Sequence, residues 1–171
     1  MPPKVSRRRI DPAVTEGVAM TPEQVLAREA ITHTQSVYNT EGDRGRLDGL
    51  LLTFTEDGVL ELDRGEFRGR EAIRGALSGA VDQKRREAAA GPPVGAPRLF
   101  LRHHLTTRRI EFRGADEADV WTYFFVMTPV GLDHAGVYVD HFVRQGDRWL
   151  IARRRVKIDW QSEDSSILGR S

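Results

Sequence analysis

The stretch "RLFLRHHLTTRRIEF", Arg98 to Phe112, sets two histidines side by side in an apolar run. Histidine is the side chain whose ordinary pKa lies nearest neutrality, so a neutral imidazole can take a proton and return it near pH 7. On an extended strand successive side chains point to opposite faces, so only one of His103 and His104 can face an interior. Leu99, Leu101 and Leu105 share the parity of His103, while Arg98, Phe100, Arg102, Thr106 and Arg108 share that of His104. The alternation therefore predicts His103 inside and His104 outside. A satisfied core histidine would show the same pattern and would need only one hydrogen-bond partner.

Other residues are of types that could complete a site. Asp43 lies in the break after the first helical pattern. There it could fix the tautomer of an imidazole, or simply cap a helix starting at Arg44. Tyr38, on the apolar face of that first pattern, is either core or a pocket hydroxyl. In "RWLIARRRVKIDW" Arg154 has the parity of Leu150, Ala152 and Val156. An arginine inserted there would want an anionic or carbonyl partner; a solvated face of the basic cluster is the alternative. A carboxylate-held histidine takes protons from carbon, and an arginine or tyrosine placed where negative charge develops stabilises an enolate or a leaving anion. That combination performs elimination or isomerisation without a cofactor. Phe54, Trp121, Tyr123, Phe125 and Tyr138 could wall a cavity for a flat apolar substrate.

The elements that must position these groups read as follows. "TPEQ" offers Thr21 as N-cap, Pro22 at the first helical position and Gln24 to close a capping box. Val25, Leu26, Ala30, Ile31, Thr34, Val37 and Tyr38 then recur at three- and four-residue spacing, which predicts a helix to about Thr40 ended by Gly42. A short helix carries Leu47, Leu50, Leu51 and Phe54, and "TEDG" turns into the strand pair "VLEL" and "GEFRG". A third helix starts near Arg70, with Ile73, Ala76, Leu77, Ala80 and Val81 on one side. Four long strands follow at about 98–113, 118–130, 135–145 and 148–160, separated by "RGAD", "PVGLD" and "QGDR". Helices first and an antiparallel meander second predict an α+β domain with three helices on the concave face of a curved sheet.

Of the 171 residues, 1–20 read as a loose arm and 161–171 as a tail, leaving one domain at 21–160. This order of elements, with "REAITHTQSVYNTEGDRGRLDGLLLTFTEDGVLEL", His-x-x-Thr at His103 to Thr106, "GVYVD", and the Trp149 to Arg154 run, resembles the SnoaL-like branch of the NTF2-like superfamily. Scytalone dehydratase, bile-acid 7α-dehydratase, hexachlorocyclohexane dehydrochlorinase and ketosteroid isomerase share that cone-shaped fold. The resemblance implies a His103–Asp43 dyad with Tyr38 and Arg154 beside it, and a dehydratase-like lyase or isomerase acting on a small hydrophobic, polycyclic or aromatic molecule. Scytalone dehydratase has a second pocket histidine on the following strand, where this chain offers Trp121, Tyr123 and Phe125. The same cone also serves as a non-catalytic hydrophobic-ligand binder or as the small subunit of an aromatic-ring dioxygenase.

With 26 basic and 25 acidic side chains the net charge is +1, so nothing demands nucleic acid as a partner. The absence of cysteine removes disulfides, thiolate catalysis and cysteine metal sites. No histidine pair has a helical metal-ligand spacing and no glycine-rich segment carries a P-loop lysine, so neither a metal nor a nucleotide cofactor is expected. No run approaches a membrane span and no leader is evident, so the expected location is cytoplasmic. Phe100, Trp149 and Ile151, placed among arginines on the outer sheet face, point to a homo-oligomer, dimer or trimer.

Overall fold

The computed structural model describes residues 19–79 and 100–165. Thr21 caps the first helix, α1 (Pro22–Asp43): its hydroxyl accepts from the Gln24 amide at 3.3 Å, and the Gln24 side chain accepts from the Thr21 amide at 3.0 Å. The helix runs past Gly42 and stops one turn later than its apolar spacing predicts. Its end is a Schellman turn in which Gly45, at φ 67°, takes the left-handed conformation. Its N–H bonds Gly42 O at 3.0 Å, and the next N–H bonds Glu41 O at 2.9 Å. Asp43 is thus the last helical residue and caps nothing; the residue at the N-cap of α2 (Leu47–Leu51) is Arg46.

Phe54 opens the first strand rather than closing α2. β1 (Phe54–Leu62) pairs antiparallel with β2 (Gly65–Arg68), and a helix α3 follows from residue 70, described to 79, with Ile73 fully buried. The four long strands are β3 (Arg102–Phe112), β4 (Glu117–Thr128), β5 (Gly131–Gln145) and β6 (Arg148–Gln161). The sheet is curved and open, in the order β2-β1-β6-β5-β4-β3, antiparallel throughout except where β1 lies parallel to β6. The arm before residue 19, Arg98, Leu99, Ala80, Val81 and the tail after 165 lie outside the described residues.

The helices cover one face of this sheet, and its phase is reset by bulges. On β3 the pairing shifts by one residue between Leu105 and Arg108, so Arg108 turns inward with Ile110 and Phe112, against the expectation from simple alternation. Its guanidinium donates to the Thr32 hydroxyl of α1 at 2.7 Å. On β6 a shift opposite His141 and Phe142 brings Trp149 and Ile151 to the inner face together with Arg154. Trp149 is 4% exposed and Ile151 0%, so neither contributes to an outer apolar face. Val25 and Leu26 are exposed; the face of α1 that packs inward carries Ile31, Thr34, Gln35, Tyr38 and Asn39, more polar than the spacing implies. Among the described residues no helix is long and apolar enough to cross a membrane.

Candidate active site

The end of α1 delivers Asp43 to the inner face of β3, sixty residues away in the chain. Asp43 Oδ1 lies 2.6 Å from His103 Nδ1, and its Oδ2 accepts the His103 backbone N–H at 3.1 Å. One carboxylate therefore holds both the ring and the strand beneath it. An ionised carboxylate only accepts, so Nδ1 carries the proton and Nε2 is left with its lone pair. The Asp43 side chain is 7% exposed and that of His103 21%, which leaves the ring reachable while its partner is shielded. His104 lies on the other face, stacked on Phe125 at 4.7 Å between ring centroids.

Deeper in the fold is a second polar centre. Arg154 is fully buried and doubly bonded to Asp140, Nε to Oδ1 at 2.8 Å and Nη2 to Oδ2 at 2.7 Å. Its guanidinium carbon sits 4.1 Å from the ring centroids of both Tyr38 and Tyr138, a cation held between two aromatic faces. Burial opposes the charge, but Asp140 more than offsets it and holds the guanidinium firmly protonated. Gln35 of α1 donates to Asp140 Oδ2 and to the Thr122 hydroxyl, both at 3.0 Å, which locks the carboxylate from a third element. Burial raises the proton affinity of both tyrosines, Tyr138 most, so their hydroxyls remain protonated. Tyr138 donates to Asn39 Oδ1 at 3.4 Å. Gln35 Oε1, Asn39 Nδ2 and Arg154 Nη1 are buried without a hydrogen-bond partner.

The walls differ from the sequence expectation. Phe54 and Tyr138 are interior, with Tyr38 edge-on to both at 5.9 and 6.1 Å. Trp121, Tyr123 and Phe125 are not: β4 turns Val120, Thr122, Phe124 and Val126 inward, and Tyr123 is 56% exposed. Both parities of β4 are apolar, so composition could not choose between them, and the bulkier set faces outward. The aromatic residue that does line the interior is Phe124, stacked on Tyr138 at 4.3 Å and 6.2 Å from the His103 ring.

A residue the sequence reading passed over also enters the site. His134 of β5 is 5% exposed, its Nδ1 is 2.6 Å from Asp133 Oδ1, and its ring centroid lies 6.4 Å from that of His103. The register explains the approach: His103, Val126 and His134 are directly paired across β3, β4 and β5. The signal was present, since His134 is two residues before Gly136 and shares the parity of Tyr138 and Asp140 in "GVYVD", but it requires β5 to start before residue 135. Gly136 itself permits a close approach: a Cβ there would come within 2.0 Å of the Lys157 carbonyl oxygen. A groove of about 690 Å³ along α1, lined by Leu26, Val37, Leu52 and Trp149, shares no residue with the dyad. Among the described residues no group of three or more His, Asp or Glu is placed to hold a metal ion.

A curved α+β cone with a carboxylate-held histidine on its inner face defines a class of fold that accommodates small molecules between helices and sheet. The chain belongs to the SnoaL-like domain family, which matches residues 23–155. No curated protein matches it in sequence. Among solved structures it is similar to a Mycobacterium tuberculosis protein of unknown function, with 28% identity, a TM-score of 0.64, and 88% of this chain and 83% of that one covered. A putative scytalone dehydratase from Novosphingobium aromaticivorans is similar at 20% identity and TM-score 0.65, covering 89% and 99%. A hexachlorocyclohexane dehydrochlorinase from Novosphingobium barchaimii is similar at 16% identity and TM-score 0.64, covering 82% and 91%. These last two likenesses carry the fold; the titles of those proteins name eliminating enzymes.

Proposed function

We propose that the protein is a cofactor-independent lyase or isomerase that abstracts a proton from carbon in a small hydrophobic, aromatic or polycyclic molecule. His103 is the base and Asp43 its orienting carboxylate. The observation that carries the reading is the double grip of Asp43 on His103, which fixes the tautomer with Nε2 free and ready to accept. A core histidine needs one partner; this one has a buried ionisable carboxylate and a part-exposed ring. Proton uptake gives an imidazolium beside Asp43, a charge pair in a site partly screened from water, and such a base supplies on the order of 10² to 10⁴ in rate. Phe124, Tyr38 and Tyr138 offer aromatic surface to the substrate, and Arg154 sets the positive potential of the deep end through its contacts with both tyrosines. A non-catalytic binder has no use for an oriented base, which argues against the ligand-carrier and dioxygenase-subunit readings.

The test uses 5-nitrobenzisoxazole, whose ring opens when a base removes its C–H proton and whose phenolate leaving group needs no acid. Wild-type protein should open it faster than free imidazole at equal concentration, His103→Ala should lose that excess, and His104→Ala should retain it. Equal rates for wild type and a folded His103→Ala would overturn the reading.

A further inference from the structure

Resting on that reading, we infer that His134 is a second catalytic residue, a general acid opposite His103, and that the substrate's leaving group is therefore a hydroxyl lost as water. The geometry points to this. Each of the two rings is tied through Nδ1 to its own carboxylate, His103 to Asp43 and His134 to Asp133, at 2.6 Å in both cases. Asp133 is itself fully buried and held by the Ser165 hydroxyl at 2.8 Å and by Thr128 at 3.4 Å. With Nδ1 engaged, the working nitrogen of each ring is Nε2, and neither Nε2 is engaged at hydrogen-bonding distance within the described structure. The two rings stand nearly perpendicular, at 83°, with centroids 6.4 Å apart, and Phe124 lies about equally far from both, at 6.2 and 6.0 Å. A flat substrate on the Phe124 face would have one imidazole at each edge.

Two like groups this close divide their labour, because protonating one disfavours protonating the other. The singly protonated pair holds one base and one acid. His103 Nε2 takes the proton from the carbon next to a carbonyl, and the C–H electron pair becomes the new carbon–carbon double bond. The bond from the neighbouring carbon to oxygen breaks, its electron pair staying on oxygen. That oxygen takes the proton from His134 Nε2 and departs as water. The products are an unsaturated carbonyl compound and water, His103 ends protonated and His134 neutral, and one proton passed between the rings restores the start. A halide or a nitrophenolate leaves without a proton and makes no use of the second ring; hydroxide is too poor a leaving group to go unassisted.

The groups facing His134 are Asp133 on its own strand, His103 on β3 and, behind that ring, Asp43 at the end of α1. Burial, with a smaller effect from His103, lowers the pKa of His134 in spite of Asp133. The acid form is therefore populated only in mildly acidic solution, and the two kinds of leaving group should differ in pH dependence.

The experiment compares 3-hydroxycyclohexanone, which must lose water, with 3-(4-nitrophenoxy)cyclohexanone, which loses a stable phenolate. For wild type, kcat/KM for water loss should fall as pH rises above about 6.5, while phenolate loss rises with pH to a plateau. His134→Gln should lower the ratio of hydroxy to nitrophenoxy turnover about 10²-fold or more. The wild-type profiles stand even if that variant folds poorly. Parallel pH profiles for both substrates, an unchanged ratio in folded His134→Gln, or a wild type that expels the phenolate but not water would each overturn the inference. Failure of the base reading looks different: it removes the His103 dependence of 5-nitrobenzisoxazole opening.

Discussion

Replacing Asp43 by asparagine separates what the carboxylate does for the fold from what it does for the imidazole. The amide is nearly isosteric, and its oxygen can still accept the His103 backbone N–H now held at 3.1 Å. Its NH₂ then faces His103 Nδ1, which must become the acceptor, so the ring proton moves to Nε2 and the base loses its lone pair. The imidazolium also loses its adjacent negative charge. Together these should cost about 10³ to 10⁴ in kcat/KM, or roughly 4 to 5.5 kcal/mol of transition-state stabilisation. Stability should respond far less. Exchanging a charge-assisted hydrogen bond for a neutral one costs about 1 kcal/mol. Against that, Asp43 is the last residue of a 22-residue helix with no basic residue in its final turn. Removing a negative charge from that end returns about 0.3 to 1 kcal/mol. The net change is under about 1 kcal/mol, a shift of a few degrees in Tm. The assay is 5-nitrobenzisoxazole opening at saturating pH beside thermal unfolding of the same samples. Less than a tenfold loss of rate, or a loss of several kcal/mol in stability, would refute the reasoning.

Two further outcomes follow from the buried charges. Asp140→Asn should destabilise the protein by about 3 to 5 kcal/mol in urea, because both side chains of the Asp140–Arg154 pair are fully buried and Arg154 would keep its charge without its partner. Adding Arg154→Met should recover most of that loss, and a double-variant effect equal to the sum of the two single ones would count against a coupled pair. His134, whose pKa burial lowers, binds a proton less readily in the native than in the unfolded chain. Stability should therefore fall as pH drops below about 6.5, the ordinary histidine value, and level off below the native pKa. His134→Gln should flatten that part of a urea-midpoint profile between pH 7.5 and 5; an identical slope in variant and wild type would contradict it.

Much of this was legible from local pattern. The Thr21–Gln24 box, the order of helices and strands and the inward parity of His103 all follow from interactions a few residues long, where propensity and alternation decide the outcome. The family resemblance rested on the same order of elements and brought Asp43 to His103, a contact across sixty residues that no local spacing dictates. What only the tertiary structure decided begins where alternation is interrupted. One extra residue in β3 turned Arg108 inward and one in β6 turned Trp149 and Ile151 inward, since a bulge shifts every later side chain to the other face. On β4 both faces are apolar, and only packing against α1 and β5 selected Phe124 over Trp121, Tyr123 and Phe125. His134 joined the site because strand register sets it in one row with His103 two strands away. The buried arginine found its partner because Tyr38 of α1, with Tyr138 and Asp140 of β5, closes around β6. Registers and closures of this kind are fixed by pairing and packing between distant segments, which a one-dimensional pattern does not contain.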